Sequence, residues 1–128
     1  MENFDRWNAE KKRIHSGGVV RTISEGEIWW CGIGQNVGVE INGKSQYFTR
    51  PVLIIKKLGR FGFIGVPLTS QEKIGSWYVP FVFKGKKQVA ALAQTRNFSV
   101  FRLHSCMGQV PNSDLNIVME GLKKLYFG

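Results

Sequence analysis

The stretch "YFTRPVLIIKK" (residues 47–57) sets four consecutive apolar residues, Val52 to Ile55, directly behind an arginine and a proline. An unbroken apolar run of that length between polar ends reads as a buried strand. The chain around it continues in the same manner. "EIWWCGI" (27–33), "FIGVPL" (63–68), "WYVPFVF" (77–83), "QVAALAQ" (88–94) and "SVFRL" (99–103) are further strands, with a short one at "VGVEI" (37–41). Asn42-Gly43 in "NGK" marks a hairpin, because both residues tolerate the positive φ of a tight turn. "GRFG" (59–62) and "KGKK" (84–87) reverse the chain between strands.

Both ends depart from this pattern. In "NFDRWNAEKKRIH", Phe4, Trp7 and Ile14 fall at near-helical spacing among charges, which predicts a short amphipathic helix ended by Gly17-Gly18. In the tail, Leu115, Val118, Met119, Leu122 and Leu125 share one helical face, with Ser113 or Asp114 as the cap. Many short strands with helices at the ends predict a mainly β fold, a small, strongly twisted β-barrel with the helices packed outside. At 128 residues the chain has room for one such domain. The expected division is a helical extension and linker over 1–25 and the barrel over 26–128.

Eighteen Lys and Arg face nine Asp and Glu, a formal charge of +9 that favours a polyanionic partner such as nucleic acid, or an acidic protein. Cys31 and Cys106 are far apart, without Cys-x-x-Cys or Cys/His spacing, so they read as reduced thiols rather than metal ligands. No apolar run approaches membrane-spanning length and the first residues do not resemble a signal peptide, so a cytoplasmic protein is expected. The phosphate-binding motifs GxxxxGK[ST] and GxGxxG are missing, and no G-x-S-x-G surrounds Thr69 or Ser70. Acidic residues are too sparse for a two-metal site. The chain is expected to work without a metal or nucleotide cofactor.

What remains is a set of polar residues at strand ends: Arg50, Thr69 or Ser70, Gln94 and Arg96. If the strands flanking "GRFG" pair antiparallel, the start of one lies opposite the end of the other, and Arg50 becomes a neighbour of Thr69. An arginine fork, a hydroxyl and a primary amide at one rim suit a phosphodiester with an adjoining base. Each also has an ordinary reading. Arginines at strand ends are commonly solvated, threonine favours strands for packing reasons, and a glutamine can satisfy a buried backbone group. His15 and His104 invite an acid–base role, but isolated histidines are more often plain surface or core residues.

The order and spacing of "GEIWW", "GIGQNVGVEINGK", "TRPVLII", "VPLTS" and "AQTRNFSVFRL" resemble the PemK/MazF toxins, the endoribonucleases (mRNA interferases) of bacterial type II toxin–antitoxin systems. The resemblance runs from about Gly26 to the C-terminus. It implies a homodimer of SH3-like barrels that cuts single-stranded mRNA without a metal. The RNA 2′-hydroxyl attacks the adjacent phosphate, leaving a cyclic phosphate and a free 5′-hydroxyl. Arg50 and Thr69 occupy the positions of the catalytic arginine and threonine in one branch of the family. Gln94 matches a glutamine that contacts bases, and Glu40 matches an acidic residue of the first loop. Lys44, Ser70 and Arg96 join them as expected RNA contacts, with Lys56, Lys57 and Arg60 along the basic groove; Trp77 and Phe48 offer stacking surfaces for unpaired bases, although core or loop packing is the commoner role of such aromatics. The implied protein partner is a cognate antitoxin whose acidic segment fills that groove.

The chain also departs from the family. A second branch carries an aspartate, an arginine and a histidine where this chain has Ala93, Ala91 and Val39. Only the arginine–threonine arrangement carries across. A guanidinium normally keeps its proton, so Arg50 is expected to stabilise charge, and the base that takes the 2′-hydroxyl proton is not identified. The rival readings are a non-catalytic RNA- or protein-binding barrel, as in the gyrase-directed relatives, and a degenerate toxin retained as a regulator.

Overall fold

The computed structural model describes residues 21–32 and 49–128. The helix expected near the N-terminus, and the strand and hairpin expected over 37–44, lie outside these residues, as do Glu40, Lys44 and Phe48. The described chain forms seven strands and a terminal helix. They are β1 (Glu27–Gly32), β2 (Thr49–Leu58), β3 (Gly62–Thr69), β4 (Tyr78–Phe83), β5 (Lys86–Ala91), β6 (Arg96–Ser99), β7 (Leu103–Gln109) and α1 (Asn112–Phe127). The fold is mainly β, as the sequence predicts. Among the described residues, no helix is long and apolar enough to cross a membrane.

β2 lies at the centre, antiparallel to β1 on one side and to β3 on the other. Successive side chains of a strand point to opposite faces. Leu53 and Ile55 therefore enter one hydrophobic cluster with Phe81, Phe83, Leu92, Val118 and Leu122. Val52 and Ile54 enter another with Trp29, Cys31, Phe63, Phe98 and Leu103. This explains the unbroken apolar run, since a strand buried on both faces has no polar alternation to show. Each such side chain contributes about 1.5–3 kcal/mol by leaving water.

β3 divides its second edge between two partners. Gly62 to Gly65 pair with β6, while Leu68 and Thr69 pair with β5. Between β5 and β6 the chain leaves the ladder in a 3-10 turn, Leu92–Gln94, which is why the expected strand 88–94 ends early. The expected strand at "SVFRL" is corrected as well. Its centre, Val100–Arg102, is a second 3-10 turn, and the flanking residues belong to β6 and β7. The cap of α1 is Pro111, with no side-chain hydrogen bond; Ser113 and Asp114 sit in the first turn instead.

The strand order β4-β5-β3-β2-β1-β7 has two ends, so among the described residues the ladder does not close into a ring of paired strands. Side chains bridge the opening. Lys84 Nζ donates to the carbonyl of Met107 at 2.7 Å, tying the tip of the β4–β5 hairpin to β7. Phe83 lies so close to Gly108 that a Cβ there would come within 2.9 Å of its ring. Lys84 and Gly85, with φ of 51 and 79, form the tight turn that places this lysine.

The ladder between β2 and β3 stops at the rung Val52↔Pro67. Pro51 and Pro67 both lack an N–H, so neither can extend it. Continuing the register would put Arg50 opposite Thr69. They stand instead at the open mouth of the pair.

β3 also passes close to its neighbours. A Cβ on Gly65 would collide with Val52 Cγ1 and lie 2.9 Å from Phe63 Cε2. Gly65→Ala is therefore expected to destabilise the fold by about 1–3 kcal/mol in urea unfolding, the usual range for overpacking a tight core. A neutral result would show that β2 and β3 are less tightly packed.

Candidate active site at the mouth of β2 and β3

A cleft of about 240 Å³ opens where β2 and β3 part. Arg50 and Thr69 line it from the beginning of β2 and the end of β3. Gln71 and Lys73 come from the connection to β4, and Gln94 from the 3-10 turn after β5. Tyr78 and Ala91, partners on one rung of the β4–β5 ladder, complete the wall. Among the described residues the lining includes two cationic side chains and no carboxylate, so its field favours an anion.

The backbone fixes several of these groups. Arg50 is half-buried and precedes Pro51, which biases it toward extended conformations. Thr69 Oγ1 accepts the N–H of Gln71 at 3.1 Å, so its own proton is left to point at a ligand oxygen. The N–H of Leu92 donates to Trp77 O at 2.9 Å, and Thr95 Oγ1 donates to Leu92 O at 2.7 Å. These bonds clamp the 3-10 turn that carries Gln94 against the start of β4.

Of the residues singled out from sequence, Arg50, Thr69 and Gln94 meet in this cleft. Arg96 lines an adjoining cleft with Gln94, and Ser70 is exposed just past the end of β3. Lys56 and Lys57 lie at the far end of β2, roughly 20 Å from Arg50 at the rise of an extended strand, with Arg60 in the turn beyond them. Trp77 is exposed next to Tyr78, and His104 is exposed on β7. Ala91 forms part of the cleft wall.

Sequence reasoning missed Gln71, Lys73 and Tyr78. The signal was indirect: the connection that begins after Thr69 must return to start β4 beside it. Among the described residues, no three His, Cys, Asp or Glu side chains gather closely enough to hold a metal ion.

Cys31 lies across from Arg50 in the β1–β2 register but is wholly buried. Burial pushes its thiol from 9.0 up to about 11, against the opposing pull of Arg102 and Arg96. It therefore stays protonated and is no nucleophile at neutral pH. The stability it lends is complete below pH 9 and is lost as pH rises toward 11. At pH 8, iodoacetamide is expected to label the exposed Cys106 and to reach Cys31 only after denaturant is added. Labelling of both thiols at equal rates in the native protein would contradict this burial.

No curated protein matches the chain. Among solved structures, it is similar to an endoribonuclease in complex with its cognate antitoxin from mycobacterial species, with TM-score 0.64 and 16% identity over 84% of this chain and 98% of that one. MazF from Deinococcus radiodurans gives TM-score 0.63 and 20% identity over 82% and 96%. The Mycobacterium tuberculosis toxin MazF-mt6 gives 0.58 and 16% over 78% and 95%. At such identities these likenesses establish the fold. The family model for PemK-like, MazF-like toxins matches residues 24–126, and the chain belongs to that family of type II toxin–antitoxin toxins.

Proposed function

We propose that this chain is a metal-independent, sequence-selective endoribonuclease that cleaves single-stranded mRNA as a homodimer and is restrained by a cognate antitoxin. The observation that carries the reading is the meeting of Arg50 and Thr69 in one cation-lined cleft with Gln94 on its wall. The family is generally one of endoribonucleases, which supports the reaction class. A structural relative seen with its cognate antitoxin supports the partner.

In this reading the scissile phosphate sits between Arg50, Lys73 and the Thr69 hydroxyl. The RNA 2′-oxygen attacks phosphorus, loses its proton, and the bond to the 5′-oxygen breaks. A 2′,3′-cyclic phosphate and a 5′-hydroxyl result, the departing oxygen having taken a proton. The negative charge on the non-bridging oxygens grows in the transition state, where the Arg50 fork and the Lys73 ammonium are most effective. The Tyr78 and Thr69 hydroxyls donate hydrogen bonds to the same oxygens. Gln94 presents an amide to the edge of an unpaired base. The cleft supplies positioning and charge, with no imidazole or carboxylate among its described lining residues.

Single-stranded RNA incubated with the protein in EDTA is expected to yield fragments ending in 2′,3′-cyclic phosphate. Arg50→Ala should lower the rate about 100- to 1000-fold, the usual loss when one such charge-stabilising donor is removed. Thr69→Val should lower it less, since a neutral donor is lost. Intact RNA that still shifts on a gel would overturn the nuclease reading in favour of a binding module. Cleavage that EDTA abolishes would overturn the metal-free mechanism.

A further inference from the structure

The sequence singles out one stretch that the cleft does not explain. Phe4, Trp7 and Ile14 recur at near-helical spacing among charges, and a helix would carry them along one face for about 15 Å. Large apolar side chains in such a stripe gain stability by lying against another apolar surface. The stretch precedes residue 24, where the match to the toxin family begins, so it is an addition to the shared domain.

The point at which it joins the fold is fixed. Ile23 is buried in the cluster of Trp29, Phe98 and Leu103. Arg21 Nε donates to Leu103 O at 3.3 Å, and its guanidinium carbon lies 5.9 Å from the centroid of the Trp29 ring. The chain thus enters on the side of this cluster, while α1 packs Val118 and Leu122 into the other one.

An apolar surface stands beside the entry. Phe101, two residues before Leu103, packs on the same cluster, and its ring stacks on Phe61 with centroids 5.6 Å apart and planes at 23°. The backbone holds the pair together, since the N–H of Val100 donates to Phe61 O at 2.9 Å. Phe61 nevertheless keeps 41% of its surface exposed, and Arg60 borders it with its guanidinium carbon 5.4 Å from the ring centroid. Ile14 is seven residues before Arg21, a span of up to roughly 23 Å of extended chain. Gly17 and Gly18 lie within that connection and let it reverse direction. Length and point of entry therefore bring the stripe to the Phe61–Phe101 surface of its own chain.

We infer that residues 4–14 dock on the Phe61–Phe101 surface of the same chain, with Trp7 against this pair of rings. The segment is then the outer layer of the cluster that holds Val52 and Ile54 behind Arg50. The inference does not depend on the RNA-cleaving reading above.

Thermal unfolding of the full chain tests the contact. Trp7→Ser and Phe61→Ser are each expected to lower the melting temperature by about 3–6 °C, and Trp7→Phe by less, because an aromatic ring is kept. In the double variant the second substitution should add little, since either one alone already removes the contact. Fully additive shifts, or a Trp7→Ser protein that melts as wild type does, would overturn the inference. The origin of the segment is read from Trp7→Cys combined with Arg60→Cys in a Cys106→Ser background, treated with a short bismaleimide and run on a denaturing gel. A cross-link within one chain supports docking on the same chain. A cross-link joining two chains shows that a second copy supplies the segment and overturns it, as does the lack of any cross-link. This readout needs neither serine variant, so it decides the matter even if one of them fails to fold.

Discussion

Val52, Leu53, Ile54 and Ile55 are all excluded from water, and no arrangement achieves this unless β2 is covered on both faces. That constraint organises the molecule. β1 and β3 flank the strand, Phe63, Phe98 and Leu103 cover one face, and the β4–β5 hairpin with α1 helps cover the other. The terminal helix adds Val118 and Leu122 to the second cluster and leaves its polar side to solvent. Where the ladder would otherwise remain open, Lys84 and Phe83 reach β7 with side chains.

The cleft follows from the point at which this burial stops. Two prolines end the β2–β3 ladder, and the strands part with Arg50 on one side and Thr69 on the other. The apolar run behind Arg50 keeps its backbone anchored, so the charged fork is held by a rigid element rather than a free loop. β3 is handed from β6 to β5 over the same few residues, and the 3-10 turn made necessary by that exchange delivers Gln94. The groups proposed to act on the phosphate and on the base thus share one structural origin.

Sequence revealed the parts of this arrangement that depend on local pattern. The run 52–55 announces a buried strand, the turn at 59–62 implies the antiparallel pair, and these two local signals suffice to bring Arg50 toward Thr69. Other parts were hidden for physical reasons. β7 shows little hydrophobic pattern because it is an edge strand whose residues His104 to Cys106 face solvent. The 3-10 turn at 100–102 contains Val100 and Phe101 and so resembles a strand by composition. Lys73 and Tyr78 join the cleft through the path of a connection and the register of β4 against β5, which are long-range facts without a local signature. The stacking of Phe63 on Phe98 is likewise invisible in sequence, since the two meet only through the pairing of β3 with β6.

Whether the parting of β2 and β3 creates a seat for a phosphodiester is tested most directly by a crystal structure of the protein with an RNA carrying a 2′-deoxy sugar at the cleavage site. The scissile phosphate is expected within hydrogen-bonding distance of the Arg50 guanidinium and Thr69 Oγ1, beside Lys73. A phosphate chain bound instead at the opposite end of β2, along Lys56, Lys57 and Arg60, with the cleft left empty, would contradict it.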